Sequence, residues 1–325
     1  MDEASSKFVD RIVLRKLLDE HLSRVHHFPK HEDLSREVSV QDTLREVADH
    51  DLRIVDRKGN RFWFAVPLDS VYPENNLCEV IVHQAASARG NIVLQHGLFE
   101  DNREIHDFMI RQLTLAGLNV FHTTLPYHYG RKPRESRFSG EYFWSADFGL
   151  TLSAFRQALQ ELQVLYRYVE TLNDLPTVLG GFSMGGCVAL LLASQVEDLT
   201  GVVAINPAAS LSGIVWDSPL CSTIKADYLA SGVSMEELYR IYRPFEPLGQ
   251  TEVALEAERI QLLYGVYDQV TSPRQYEKLT KAWGLTEVRA YKAGHLNMLR
   301  VPRLAADVAA FVQRVGALQL QKEPG

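Results

Sequence analysis

Cysteine is scarce in this sequence: Cys78, Cys187 and Cys221 are its only three in 325 residues, far apart and without C-x-x-C or Cys/His ligand spacing. That argues against a disulfide framework and a structural zinc site, and a reducing cytoplasm is the expected compartment. No run approaches the ~18 consecutive apolar residues of a membrane span. The start, MDEASSKFVDRIVLRKLLDEH, is acidic and broken by charge every few residues, so it lacks the basic and apolar regions of a secretory signal. Positive charge is not in excess either, since 34 Lys and Arg against 41 Asp and Glu leave a net charge of −7. Nucleic acid and anionic membrane would each favour a basic face, so neither is an expected partner. Internal repeats and low-complexity linkers are missing as well.

What is present is ordinary globular composition, with 46% hydrophobic and 23% charged residues, enough for a sizeable core. Residues 1–50 read as an N-terminal helical extension. FVDRIVLRKLLDEHLSRV places Phe8, Ile12, Leu14, Leu17, Leu18 and Leu22 at helical spacing, and VSVQDTLREVADH suggests a second short helix. Packing on the domain and pairing two copies into a homodimer are the two uses open to this extension. From residue 51 to 325 the pattern is that of one α/β domain. RFWFAVPLD and CEVIVHQA read as opening strands, and short apolar runs such as NIVLQHG, NVFHTTLP, PTVLGGF, GVVAINPA and RIQLLYGVYD then alternate with helical stretches. Continuous apolar strands between helices predict a mostly parallel sheet covered on both faces. Ligands in such sheets sit beyond the carboxyl ends of the strands.

One turn at such an end stands out. VLGGFSMGGC sets Ser183 among four glycines between a strand and a nearly all-apolar helix. With 20 glycines and twenty serines in the chain, G-x-S-x-G arises by chance roughly 0.08 times, so context decides. A serine capping the next helix is the plain reading. The strand–turn–helix setting favours another, in which Gly181 and Gly185 clear space for a sharp turn that presents the Ser183 hydroxyl as a nucleophile.

A serine hydroxyl needs a base and an acid that orients the base. Asp268 ends the strand IQLLYGVYD and His295 ends VRAYKAGH, giving the order Ser183, Asp268, His295 that this architecture requires. His295 would take the serine proton through one ring nitrogen while Asp268 holds the other. Asp217 and Glu246 are distant alternatives for the acid, and Ser272 before Pro273 suits the neighbouring helix cap better than Asp268 does. In VLQHGLFEDN, His96 and Gly97 end a strand whose following turn can supply an oxyanion donor; the amides of Leu98 and Met184 are assigned that role, and His96 is read as structural.

Taken together, HGL, GFSMGG, YGVYDQV and AGHLNM in this order resemble the α/β-hydrolase superfamily of serine esterases, lipases and related acyl hydrolases. The resemblance covers residues 55–318. It implies an eight-stranded, mostly parallel sheet, a Ser-Asp-His triad, and neither metal nor cofactor. A looser similarity, carried by LPYHYGRKPRESRFSGEYFWSADFGLT, links the chain to an abhydrolase-domain group whose loop after the fourth strand reads P-(Y/F)-x-G-R-(R/K)-x-P.

The expected activity is cleavage of a carboxylic ester through an acyl-serine intermediate, on a small-molecule ester or acyl substrate. Thioesterase, lysophospholipase and amidase chemistry would use the same residues, and a non-catalytic binding protein of the same fold is the alternative from another class. Residues 208–255, with Trp216, Tyr228, Leu238 and Tyr242, suggest a small helical cap; a packed excursion is the alternative. Arg131, Lys132, Arg134 and Arg137 form a basic loop that would suit an anionic substrate group, although a solvated charge run is the default. Tyr142, Phe143 and Trp144 read as core anchors before pocket walls.

Overall fold

The structure, a computed structural model, describes residues 2–30, 32, 39–47, 50–67 and 70–322. Its centre is a nine-stranded sheet in the order β1-β2-β3-β5-β4-β6-β7-β8-β9. The strands are β1 (Ile54–Lys58), β2 (Arg61–Ala65), β3 (Leu77–His83), β4 (Gly90–Gln95), β5 (Leu118–Thr123), β6 (Thr177–Phe182), β7 (Val202–Ile205), β8 (Ile260–Gly265) and β9 (Glu287–Tyr291). β1, β2 and β3 form an antiparallel meander joined antiparallel to β5, whereas β5, β4, β6, β7, β8 and β9 run parallel. The sheet has one strand more than the eight the resemblance implies. The addition, β1, has the sequence IVDRK and is exposed along most of its length. It lacks the alternation that marks a half-buried strand, and its charge suits an open edge.

The parallel strands are short, and their alternate residues serve two cores. Ile92, Leu94, Val178, Val203 and Ile205 face a core shared with α3 (Asp107–Leu115) and α10 (Pro302–Lys322). Val93, Leu179, Val202 and Ala204 face the other, with α4 (Phe148–Glu170) and α5 (Met184–Ala193). Helices therefore cover both faces. α4 starts where Asp147 accepts the Leu150 N–H at 3.0 Å, the local side-chain cap that fixes its first turn. Every residue of α5 is buried, as its apolar sequence demands.

The N-terminal segment supplies α1 (Glu3–His21) and α2 (Val40–Arg45); parts of the second expected helix lie outside the described residues. α1 packs on the domain through Ser6, Asp10, Leu14 and His21, while Phe8, Ile12 and Leu22 are more than half exposed. Residues 208–255 contain α6 (Leu211–Asp217), α7 (Ser222–Ala230) and α8 (Met235–Tyr242). Trp144 Nε1 donates to the Tyr242 hydroxyl at 2.8 Å, and the Tyr228 and Tyr242 hydroxyls lie 3.0 Å apart, so buried aromatic groups anchor this insertion to the loop before α4. α9 (Pro273–Ala282) links the last two strands. Among the described residues no helix is long and apolar enough to cross a membrane.

Candidate active site

Ser183 joins β6 to α5 with φ 53° and ψ −112°. For a residue with a Cβ this is a strained conformation costing on the order of 1–3 kcal/mol, and such strain tends to collect at functional positions. Backbone bonds hold it: Ser183 N donates to Ile205 O at 2.9 Å, and Ser183 O accepts from Cys187 and Ala208, each at 3.0 Å. The flanking glycines are enforced by contact. A Cβ on Gly181 would stand 2.1 Å from the Gly185 carbonyl carbon, and one on Gly185 would stand 2.6 Å from Gln95 O. The Ser183 side chain makes no capping bond to α5, which removes the plain reading of this serine.

His295 follows β9 and is buried. Its Nδ1 lies 2.7 Å from Asp268 Oδ2. Asp268 Oδ2 also accepts from the Tyr276 hydroxyl at 2.8 Å, and Oδ1 accepts from Val270 N and Thr271 N at 2.8 and 2.9 Å. An ionised carboxylate only accepts, so the proton on this His295–Asp268 bond belongs to Nδ1, leaving Nε2 as the free acceptor. Burial by itself would lower the His295 pKa; Asp268, and beyond it Asp10 and Glu100, outweigh this and hold it above the ordinary 6.5.

Ser183, His295 and Leu98 line one cavity of about 520 Å³. The Ser183 hydroxyl makes no hydrogen bond to His295 within it. Near the serine, Gly97 N donates to Glu100 Oε1 at 2.9 Å and Phe99 N to His128 Nε2 at 3.2 Å, while Gly185 N donates to His96 O at 3.1 Å. Among the described residues, the N–H groups of Leu98 and Met184 have no protein acceptor. His96 is fully buried: its Nε2 accepts from Leu125 N at 3.0 Å and Nδ1–H donates to Gly97 O at 2.7 Å. Burial and three neighbouring histidines push its pKa far down. It braces the loop and does not line the cavity.

The other candidates fall elsewhere. Glu246 is buried against Ser212, accepting its N–H at 2.9 Å, and Asp217 is exposed at the end of α6. Asp268 does not cap α9; its backbone partners belong to its own turn, and Ser272 holds the cap position without a side-chain bond. Arg131 is buried, donating to Thr124 O at 2.7 Å, to Asn75 O at 2.9 Å and to both Glu161 oxygens. Neither it nor Lys132, Arg134 or Arg137 lines the cavity, and nor do Tyr142, Phe143 and Trp144. Of residues 208–255, Leu220 alone among the described residues reaches the wall. α1 contributes Asp10, Val13, Leu14, Lys16, Leu17 and Glu20.

Three supporting residues carry no motif. Glu100 takes the Gly97 N–H together with His106 Nε2 at 2.6 Å and the Tyr129 hydroxyl at 2.8 Å. Burial would raise its pKa, but His106 and these donors bring it below the ordinary value. Asn206, at φ 43° after β7, accepts from Gly265 N at 2.8 Å and donates to His295 O at 3.0 Å. The dipeptide Asn206-Pro207 at a strand end was its only sequence signal. Asp10 gave none.

No protein-family model matches the chain. It is 27% identical over 207 residues to two uncharacterized proteins of Mycobacterium tuberculosis, one each from strains CDC 1551 and H37Rv; the match takes in 62% of this chain and 48% of theirs. The chain thus spans about half the length of the curated relatives it matches. Among solved structures it is similar to an acetyl xylan esterase from Paenibacillus sp. R4, with TM-score 0.57 and 13% identity over 93% of this chain and 99% of that one. Acetyl xylan esterase 1 from Thermoanaerobacterium sp. JW/SL YS485 gives TM-score 0.56 and 15% identity over 93% and 98%. A soluble variant of monoglyceride lipase from Saccharomyces cerevisiae gives TM-score 0.55 and 14% identity over 82% and 95%. At these identities the likeness is one of fold.

Proposed function

The chain has the α/β-hydrolase fold, and from that premise we propose that it is a serine hydrolase cleaving carboxylic esters at Ser183. The observation that carries the reading is an uncapped serine in a strained turn, in one cavity with a histidine whose far nitrogen is bonded to a buried carboxylate. Ester cleavage is also what the names of the three solved neighbours describe, which supports an ester among acyl substrates.

In this mechanism Nε2 of His295 takes the hydroxyl proton as Ser183 Oγ attacks the acyl carbon. The Leu98 and Met184 N–H groups receive the charge that develops on the carbonyl oxygen, each worth roughly 3 kcal/mol in the transition state. His295 returns its proton to the leaving alcohol, and water then releases the acyl group by the same route. Apo sites often leave the nucleophile–base bond unmade until substrate binds, so an unbonded Ser183 hydroxyl is compatible with this path. Val13, Leu14, Leu17, Leu98, Phe99 and Ile105 give the cavity an apolar wall suited to an acyl chain.

The test is labelling by a fluorophosphonate probe, with turnover of nitrophenyl esters and acyl-thioesters of increasing chain length. Wild-type protein labels and Ser183→Ala does not, losing kcat by on the order of 10⁶-fold. Labelling that persists unchanged in Ser183→Ala would remove the nucleophile assignment. Faster turnover of thioesters than of matched esters would move the reading to a thioesterase.

A further inference from the structure

We infer that Asp10, on the helix that precedes the sheet in sequence, is a positioning residue for His295. The inference rests on His295 being the base of the proposed hydrolase. Asp10 is fully buried, and its carboxylate collects three backbone donors. His295 N lies 2.7 Å and Gln269 N 3.2 Å from Oδ2, and Leu296 N lies 3.2 Å from Oδ1. One carboxylate therefore ties together the loop that carries His295 and the loop that carries Asp268, whose neighbour is Gln269.

The surroundings are shaped for this group. Residues Leu296–Arg300 form a 3₁₀ turn with His295 at its cap position. The opening amides of such a turn lack partners inside it, and Asp10 takes those of His295 and Leu296. Gly294, directly before the histidine, is needed here: a Cβ there would stand 2.6 Å from Asp10 Oδ2. From the other side Asn206 Nδ2 donates to His295 O at 3.0 Å. The histidine is thus gripped at its N–H and at its C=O by side chains from two distant elements. Asp10 does not bond the ring, so it acts through the backbone and through its charge.

That charge has few competitors. Asp268 bonds the ring, Glu100 approaches from the loop after β4, and the Tyr276 hydroxyl on α9 lies behind Asp268. Lys16 and Arg300 are the cations of the cavity wall, and Glu20, Asp101 and Glu104 are its remaining acids. Asp10 and Glu100 are the charged groups beyond Asp268 that favour the protonated His295. Burial raises the Asp10 carboxyl above its ordinary range, against the pull of its donors and of His295. Ionised, it adds to the negative charge that stabilises the imidazolium formed as the serine loses its proton.

The deciding variant is Asp10→Asn in the full chain, with exposed Asp19→Asn on the same helix as control. Asp10→Asn keeps the shape and one acceptor but loses the charge. A displacement of the base predicts kcat down ~10- to 100-fold with KM little changed. Without the carboxylate the His295 pKa falls, so the acid limb of kcat/KM moves to lower pH, and the imidazole NMR titration moves the same way. Asp10→Ala, which strands three amides, is compared by circular dichroism and melting; if it unfolds, Asp10→Asn alone decides. Wild-type kcat with an unmoved His295 titration in folded Asp10→Asn overturns the inference. Failure of the wild-type protein to label at Ser183 would instead overturn the hydrolase reading, and the NMR titration then still decides whether Asp10 acts on His295.

Discussion

Asp268 has four donors on two oxygens: His295, Tyr276, Val270 and Thr271. Three of them fix the carboxylate so that the fourth, the imidazole, meets one orientation. An amide in its place could present an N–H to Nδ1 and force the proton onto Nε2, the nitrogen that must accept from serine. Asp268→Asn is therefore expected to lower kcat on a nitrophenyl ester by on the order of 10³- to 10⁴-fold, less than loss of the serine. Turnover equal to wild type would point to a different carboxylate, of which Asp10 is the nearest by structure. Tyr276 belongs to the same network; burial and the adjacent Asp268 raise its pKa far above 10.0, so it remains the donor throughout the working range.

At the scale of elements, the junction of β6 with α5 was the most legible part of the chain, because its constraint is local. Four glycines, one serine and the start of an apolar helix fall within the ten residues VLGGFSMGGC, and the clearances of 2.1 and 2.6 Å explain why Gly181 and Gly185 carry no side chain. Gly185→Ala should then destabilise the protein by about 1–3 kcal/mol in a urea melt. Gly130→Ala, where an added Cβ meets nothing within 4 Å, should be near neutral. Equal stability of the two variants would mean that the strand–helix approach is looser than these distances. Strands buried on both faces were readable from their apolar runs, and Asp268 and His295 from their places at strand ends. α1 was misread in one respect. Helical spacing marked Phe8, Ile12, Leu14, Leu17, Leu18 and Leu22; Leu14 is buried and Leu17 packs on the core, but Phe8, Ile12 and Leu22 are exposed, and the buried stripe is completed by Ser6, Asp10 and His21. Hydrophobic periodicity assumes an apolar partner, whereas at Asp10 this helix meets the backbone amides of Gln269, His295 and Leu296. Glu100 and Asn206 were hidden for the same reason: each serves amides or carbonyls that only the folded chain brings near.

For the molecule as a whole, the buried histidines set the acid limit. Burial brings His21 and His128 down to about 4, and burial with neighbouring histidines takes His96 and His122 well below 6.5. A histidine whose folded pKa is depressed binds its proton in the unfolded chain first, so its contribution is whole above 6.5 and lost as pH falls toward the folded value. His295 has the opposite sign: its contribution is whole below 6.5 and fades as pH rises through its raised folded pKa. Asp10 and Glu246, raised by burial, offset part of the loss at the acid end. Burial lowers His27 and His83 as well and raises Glu20 and Glu170, so six depressed histidines stand against four raised carboxyls, and the most deeply buried of the histidines are shifted furthest. Tm should therefore fall steadily between pH 6.5 and about 4, measured by calorimetry at constant ionic strength. A flat Tm across that interval would show that His21, His96, His122 and His128 are accessible to protons in the folded state. The Asp10 to His295 contact also spans the molecule, since 285 positions separate its ends. During synthesis α1 leaves the ribosome before any strand exists to receive it, and it waits for nearly the whole chain. A long loop closes at modest entropic cost, because that cost grows only with the logarithm of its length. Exposed apolar surface during that wait would invite aggregation. Besides the serine, aspartate and histidine of its docking stripe, the waiting helix carries Phe8, Ile12, Val13, Leu14 and Leu17, and the site is completed only when its last loop is made.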